Sequence, residues 1–312
     1  MKLDIIIPAY NEERNVTLIH DRIEECLKDI DYTIIYVNDG STDSTYKELK
    51  ELYKKDKRVK VVNFSRNFGK EAAIYAGLEK STGDLCALID ADLEQNPKYL
   101  KEMYNILIKD EDTDEVAMIN TKRTNNTYAQ KKGSRSFYKL INLLSDVEFK
   151  ADASDFRMFT KDVRSAILKL SEKNRFTKGI FSYVGFNVKY IPYEVEKRNN
   201  GKSKFNFKSS FKYAIDGIIS YSVKPLKIAT ILGFIASFLS FVYLIYIIIK
   251  TLILGVDTPG FATIASLILF MGGIELICIG ILGEYLSKTF IETKNRPIYI
   301  ENKSLGFDED VL

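Results

Sequence analysis

The sequence predicts an α/β protein: a mostly parallel sheet covered by helices, then a C-terminal pair of membrane-crossing helices. Three observations carry this. Short apolar runs alternate with helical patterns through the first third of the chain. Those runs end in turn-forming and acidic clusters. Further on, two long stretches are almost free of charge. Strands that alternate with helices pair in parallel, because each return crossing lays a helix on a sheet face.

The first strand is Lys2–Pro8, stopped at Pro8, and Ala9–Glu13 is a loop. Asn15 is placed to cap a helix in which Val16, Ile19, Ile23 and Leu27 fall near helical spacing. Tyr32–Val37 is a second strand, rich in β-branched and aromatic residues, and the turn cluster Asn38–Thr45 runs into a helix. Val59–Phe64 is a third strand and Asn67–Lys80 a helix. Leu85–Ile89 is a fourth strand closed by Asp90 and Asp92, and Val116–Asn120 a further short one.

Strand side chains alternate faces, so Asp90 and Asp92 are expected to start on the same side. Two acids at the end of a buried strand need compensation, and a divalent cation with a taste for hard oxygen ligands, Mg²⁺ or Mn²⁺, supplies it. The plainer reading is a strand followed by an acidic loop. In such sheets ligands bind beyond the carboxyl ends of the strands, where Pro8–Glu12, Asp39–Ser41 and Asp90–Glu94 fall. Gly-x-Gly-x-x-Gly and Gly-x-x-x-x-Gly-Lys-Ser/Thr are both missing, which argues against a dinucleotide dehydrogenase and a P-loop NTPase.

The totals narrow the classes further. A net charge of +3 over 312 residues marks out no nucleic-acid partner. Cys26, Cys86 and Cys278 are too scattered for a metal site and read as reduced thiols. His20 is the single histidine and lies in a charged helical pattern, so it is expected on the surface and His-based catalysis is excluded. The apolar part of the N-terminus is too short for a signal peptide.

From Thr121 to Ser145 there is no acid, while Lys131, Lys132, Arg135 and Lys139 accompany Phe137, Leu140, Ile141 and Leu144 at helical spacing. A basic amphipathic helix over 132–145 suits an anionic membrane surface; the alternative is a helix packed on the sheet. Phe207, Phe211, Ile215, Ile218 and Ile219, with Lys208 and Lys212, mark a second interfacial helix within 203–222. Between them, Arg198, Lys202 and Lys204 surround Gly201 and Ser203, a grouping suited to phosphate or, more plainly, a solvated basic loop.

The uncharged stretches predict spans at about 228–249 and 261–282, each near the 20 or so residues a helix needs to cross a bilayer. Glu275 interrupts the second. Ser266, Gly273 and Gly280 recur every seven residues and suit close packing, within the hairpin or in a homo-oligomer. Lys224, Lys227, Lys288, Lys294 and Arg296 crowd the outer flanks, so the domain at 1–222 and the tail at 288–312 are expected in the cytoplasm, with the hairpin at 223–287 in the cell membrane. The acidic end, Asp308–Asp310, is expected to be disordered.

Four blocks carry a resemblance: Ile7-Pro-Ala-Tyr-Asn-Glu-Glu13, Val37-Asn-Asp-Gly-Ser-Thr-Asp43, Arg66-Asn-Phe-Gly-Lys-Glu-Ala-Ala73 and Ile89-Asp-Ala-Asp-Leu93. Together they closely resemble family 2 glycosyltransferases with the GT-A, Rossmann-like fold, in the polyprenyl-phosphate branch that includes dolichol-phosphate-mannose synthase. The likeness runs from residue 3 to about residue 300 and includes Gly283–Leu286 and Asn295–Tyr299. It implies that Pro8, Tyr10, Glu12 and Asp39 hold the nucleotide base and ribose, with Lys70 near the nucleotide-sugar pocket. It implies that Asp90 and Asp92 face the diphosphate, Asp92 as the direct metal ligand. Glu94 stands where the family usually has Gln and adds a third candidate ligand.

Asp152–Arg157 resembles the segment with the catalytic carboxylate, here Asp155, and Arg175–Phe186 a block near the acceptor. Arg198, Lys202, Ser203 and Lys204 fit the branch's Arg-x-x-Gly-x-Ser-Lys motif, implying contact with the acceptor phosphate. A phosphate monoester has a second pKa of about 6 and needs little deprotonation at neutral pH. Asp155 is therefore expected to position the acceptor or a basic side chain, with Arg157 as its partner. The implied reaction is an inverting, metal-dependent transfer from a nucleotide sugar, best UDP-glucose, to undecaprenyl phosphate. GDP-mannose, UDP-GlcNAc and a 4-amino-arabinose donor are alternatives. A processive synthase would carry Gln-x-x-Arg-Trp, and this chain has no Trp. A non-catalytic scaffold or flippase component is disfavoured by intact Asp90, Asp92 and Asp155.

Overall fold

The computed structural model describes residues 1–120, 142–143, 150, 153–193, 219–220, 222–254 and 260–307. The acceptor set Arg198, Lys202, Ser203 and Lys204 and the acidic end Asp308–Asp310 lie outside the described residues, as do nearly all of the helices expected at 132–145 and 203–222. In order, the elements are β1 (Leu3–Ala9), α1 (Val16–Cys26), β2 (Tyr32–Asn38), α2 (Thr45–Lys55), β3 (Val59–Phe64), α3 (Lys70–Lys80), β4 (Leu85–Leu88), α4 (Lys98–Lys109) and β5 (Glu115–Asn120). There follow β6 (Ala153–Thr160), α5 (Lys161–Lys169), α6 (Thr177–Val184), β7 (Val188–Tyr193), α7 (Lys224–Leu254), α8 (Phe261–Thr293) and β8 (Glu301–Leu305).

The strands form one eight-stranded sheet in the order β7-β5-β6-β4-β1-β2-β3-β8. Pairing is parallel for β4-β1-β2-β3 and for β5-β7, and antiparallel where β6 and β8 join. The mostly parallel sheet expected from the sequence is therefore present, with antiparallel insertions. β1 and β2 are nearly continuous apolar runs because both sheet faces are covered. Ile5 and Ile7 pack toward α1, α2 and α4, while Ile6 packs toward α3, α5 and α6, the alternation that the pleat imposes. At Gly77, α3 lies so close to β1 that an added Cβ would run into the Ile6 side chain.

Several local expectations are corrected. Pro8 does not stop β1; it pairs with Val37 inside the strand, which continues to Ala9. Asn15 precedes α1 without capping it: among the described residues its side-chain oxygen accepts no hydrogen bond, and its amide donates to Glu12 Oε2 at 2.6 Å. His20 is buried, with Nδ1 at 3.3 Å from Asp21 and Nε2 at 3.1 Å from Asp56. β4 ends at Leu88, so Asp90 and Asp92 occupy the turn beyond it and strand alternation does not set their sides. The segment after α8 returns to the sheet as β8, antiparallel to β3.

The helices α7 and α8 have 31 and 33 residues and are long and apolar enough to cross a membrane. Phe234 and Leu269 are 73% and 76% exposed, part of an apolar surface of the kind that marks a membrane or protein contact. Their seam carries Ala229 and Ala236, both buried, and Met271 and Cys278, which accept from Ser240 at 3.7 Å and donate to the Ala229 carbonyl at 3.6 Å. Among the described residues nothing approaches Gly273 or Gly280 within 4 Å of an added Cβ, so these two glycines do not form this seam.

Candidate active site

The sheet order places β1 between β2 and β4: the chain runs outward from β1 through β2 to β3, then crosses back to β4 on the other side of β1. That topological switch opens a crevice above the carboxyl ends of β1 and β4. Tyr10 and Glu12 follow β1, Asp39 follows β2, and Asp90 and Asp92 follow β4. β6 runs against β4 with Leu88 opposite Arg157. Continuing that register two residues sets Asp155 across from Asp90.

Lys70, the first residue of α3, joins them. Its ammonium lies 2.6 Å from Asp90 Oδ1 and 3.1 Å from Asp155 Oδ2. Burial opposes the charge on Lys70, but Asp90 and then Asp155 outweigh it and hold the ammonium above the ordinary lysine range. Burial likewise pushes Asp155 up, yet Lys70, Lys178 and Arg157 hold its carboxyl below the usual carboxylate range. Asp90 moves upward, through burial against the attraction of Lys70, with Asp155 adding repulsion. Asp155 Oδ1 is buried and makes no hydrogen bond among the described residues.

Gln95 holds the other side of Asp90. Its amide donates to Asp90 Oδ2 at 3.1 Å, and its carbonyl accepts the Asp90 N–H at 2.9 Å. The turn passes through Leu93 at φ 63°, a left-handed conformation that costs a non-glycine residue about 1 kcal/mol and is held here by burial. Within it Asp92 Oδ1 accepts the Glu94 N–H at 3.1 Å.

Asp39 locks two loops together: its oxygens accept the Phe68 N–H at 2.6 Å and the Gly69 N–H at 2.9 Å. Burial raises its pKa against those two donors. Gly40 has φ +63°, and an added Cβ would strike the backbone of Arg66 and Asn67. Pro8 lies within β1 opposite Val37, and the Glu12 N–H donates to Thr45 Oγ1 at 2.8 Å. Glu71, beside Lys70, accepts from both the N–H and the hydroxyl of Thr177 at the start of α6. Arg157 does not pair with Asp155; its guanidinium binds Glu115 at 2.8 Å, both buried, and lies 4.1 Å over the Phe181 ring.

Residues 4–168 match the family described as Glycosyl transferase family 2, and residues 224–289 match the GtrB C-terminal hairpin. The chain belongs to glycosyl transferase family 2. This glycosyltransferase is 36% identical over 303 residues to the prophage bactoprenol glucosyl transferase homolog of Escherichia coli K12, covering 96% of this chain and 98% of that one. It is 36% identical over 307 residues to the SfII prophage-derived bactoprenol glucosyl transferase of Shigella flexneri, covering 97% and 98%. A crystal structure of Mycobacterium tuberculosis glucosyl-3-phosphoglycerate synthase, in complex with Mn²⁺, UDP and phosphoglyceric acid, superposes with a TM-score of 0.52 at 16% identity. It covers 70% of this chain and 76% of that one, a likeness of fold.

Asp90, Asp92 and Glu94 offer the glycosyltransferase an all-oxygen donor set of the kind Mg²⁺ or Mn²⁺ takes. Among the described residues no three His, Cys, Asp or Glu side chains gather closely enough to hold an ion alone. Mg²⁺ commonly rests on one or two carboxylates and completes its shell with water and substrate phosphates, so the set fits on those terms. Asp90 is engaged by Lys70 and Gln95.

The structure thus brings together Lys70, Asp90 and Asp155, with Asp92 and Glu94 in the adjoining turn. It directs the Asp39 oxygens to a loop. Sequence reasoning missed Gln95, Glu71 and Thr177. The absence of Gln at position 94 was a signal for the first: the Gln one residue further on clasps Asp90.

Proposed function

We propose that this glycosyltransferase moves glucose from UDP-glucose to undecaprenyl or another polyprenyl phosphate, with inversion, at the cytoplasmic face of the cell membrane. The observation that carries the reading is the Lys70 ammonium bound to both Asp90 and Asp155 at the switch-point crevice, in a chain that also carries an apolar helical hairpin. The names of the bactoprenol glucosyl transferase relatives support the acceptor and the sugar. Flanking Lys224, Lys227, Lys288, Lys294 and Arg296 support a cytoplasmic catalytic domain.

The acceptor oxygen attacks the anomeric carbon as the bond to the diphosphate breaks, so an α-linked donor yields a β product. A lipid phosphate monoester is largely dianionic at pH 7, since its second pKa is about 6. It needs no strong base, and Asp155, kept charged by Lys70, is a poor one. Asp155 instead fixes Lys70, whose ammonium offsets acidic charge where two anionic substrates must meet. Arg198, Lys202, Ser203 and Lys204 hold the acceptor phosphate, so positioning supplies much of the rate. Pro8, Tyr10, Glu12 and Asp39 frame the nucleotide side of the crevice. Asp92, with Asp90 and Glu94, would hold a Mg²⁺ or Mn²⁺ ion, which when bound would neutralise charge on the leaving diphosphate.

The test is to incubate the protein with undecaprenyl phosphate and, separately, UDP-glucose, GDP-mannose, UDP-GlcNAc and a 4-amino-arabinose nucleotide, and to identify the glycolipid by mass spectrometry. Product from UDP-glucose alone supports the reading. Product from another donor changes the sugar, and none from any donor overturns the activity.

A further inference from the structure

The segment Asn295–Tyr299 joins the end of α8 to β8 and takes no part in the chemistry above. Tyr299 stacks on Phe64, the last residue of β3, with ring centroids 4.8 Å apart and planes 22° apart. Its hydroxyl donates to Glu79 Oε2 on α3 at 2.6 Å. The next carbonyl, of Ile300, accepts the Ser65 N–H at 3.0 Å, and Lys80 pairs with Glu301 at 3.1 Å. The Phe64 and Ser65 contacts lie where β3 gives way to the loop that delivers Lys70, and those of Glu79 and Lys80 at the far end of α3.

That loop has little of its own to hold it. Ser65, Arg66 and Asn67 are exposed, and Gly69 adopts φ 98°. Its fixed points are the two N–H donors to Asp39 and the Phe68 ring, which meets Phe64 edge-on at 5.7 Å and carries the Arg66 guanidinium 4.0 Å above it. Phe64 is therefore gripped by Tyr299 on one side and grips Phe68 on the other. One residue after the Asp39 bonds comes Lys70.

We propose that Tyr299 is a positioning residue of the active site: it fixes Phe64 and, through Phe68, the loop that sets the Lys70 ammonium between Asp90 and Asp155. The strand that leaves the membrane helix thereby braces the catalytic crevice. The effect on turnover rests on the functional reading above; the effect on the loop does not.

The experiment uses the full chain in detergent micelles and compares Tyr299→Ala, Tyr299→Phe and the exposed β8 substitution Lys303→Ala. Hydrogen exchange is read at the amides of 65–70, and transfer kinetics with UDP-glucose and undecaprenyl phosphate. Tyr299→Ala is expected to speed exchange at 65–70 roughly tenfold, leaving the amides of α1 and α2 unchanged. It is expected to lower kcat about tenfold while the KM for lipid phosphate stays within about twofold, because the reacting groups are misplaced rather than the acceptor lost. Tyr299→Phe, which keeps the stack, restores most of both, and Lys303→Ala alters neither. Should Tyr299→Ala fail to fold, Tyr299→Leu is read in the same way. Unchanged exchange at 65–70, or a rise spread evenly over the sheet, overturns the proposal. A wild type without transfer activity refutes the functional reading instead, and the exchange comparison still decides this one.

Discussion

Lys70 Nζ lies 3.1 Å from Asp155 Oδ2, although 85 residues separate them in sequence. The contact closes a bridge from α3 to β6 across the end of β4 and makes Asp155 a charged anchor. Asp155→Asn is therefore expected to lower transfer about tenfold to a hundredfold, by loosening Lys70 rather than by removing a base. Because Lys70 holds the Asp155 carboxyl below the usual range, kcat/KM should show no acidic limb from Asp155 between pH 5 and 8. A limb near pH 6, the second ionisation of the acceptor phosphate, is expected in both wild type and variant. A pH–rate profile of each checks this; a limb lost only in the variant would restore Asp155 as the base.

Asp92 is expected to matter more. Asp92→Asn should reduce transfer by roughly a hundredfold or more, the scale of losing charge stabilisation on a leaving diphosphate. Chelation with EDTA should do the same to the wild type, with recovery on adding Mg²⁺ or Mn²⁺. Paramagnetic resonance of Mn²⁺ with UDP present reads binding directly, and equal Mn²⁺ affinity in both proteins would dismiss Asp92 as a ligand.

Glu71 supplies a pH dependence of stability. Burial pushes its carboxyl from 4.5 up to about 7, against the hydrogen bonds from Thr177 and with repulsion from Asp155 added. The folded chain then binds that proton more tightly than the unfolded chain. Its stabilisation is complete below about pH 4.5 and is lost as pH rises through about 7. Glu71→Gln keeps an acceptor for Thr177 but cannot titrate. Thermal midpoints measured from pH 5 to 8 should fall less steeply in the variant, and parallel slopes would contradict the assignment.

The buried pair Arg157–Glu115 should be costly to break on one side only. Glu115→Ala is expected to destabilise by about 3–5 kcal/mol, because it strands a buried guanidinium. Replacing both, as Glu115→Leu with Arg157→Met, should cost less. Denaturation of the three proteins checks the order, and a double variant weaker than the single one would refute it.

Much of this was legible in the chain, for local reasons. β1 to β3 carry β-branched runs and β4 a short apolar one, each closed by turn residues, so their existence and the polar clusters at their ends could be read directly. β6 could not, because Ser154, Asp155 and Arg157 break its apolar pattern and Arg157 is compensated by Glu115 on another strand. β8 is a polar edge strand, Glu-Asn-Lys-Ser-Leu, and only pairing with β3 makes it one. His20 is buried because Asp56 waits for its ring, a partner no helical pattern announces. At the site, Asp90 and Asp92 stood out by type and spacing. The bridge through Lys70 is a long-range contact and emerged only with the fold.

The most direct measurement is the mass of the lipid product formed by the purified protein from UDP-glucose and undecaprenyl phosphate with Mg²⁺. The account predicts a lipid phosphate heavier by one hexose, β-linked, formed by the wild type and nearly lost in Asp92→Asn. A lipid that stays unmodified with UDP-glucose and every other nucleotide sugar, under conditions where the protein is folded, would contradict it.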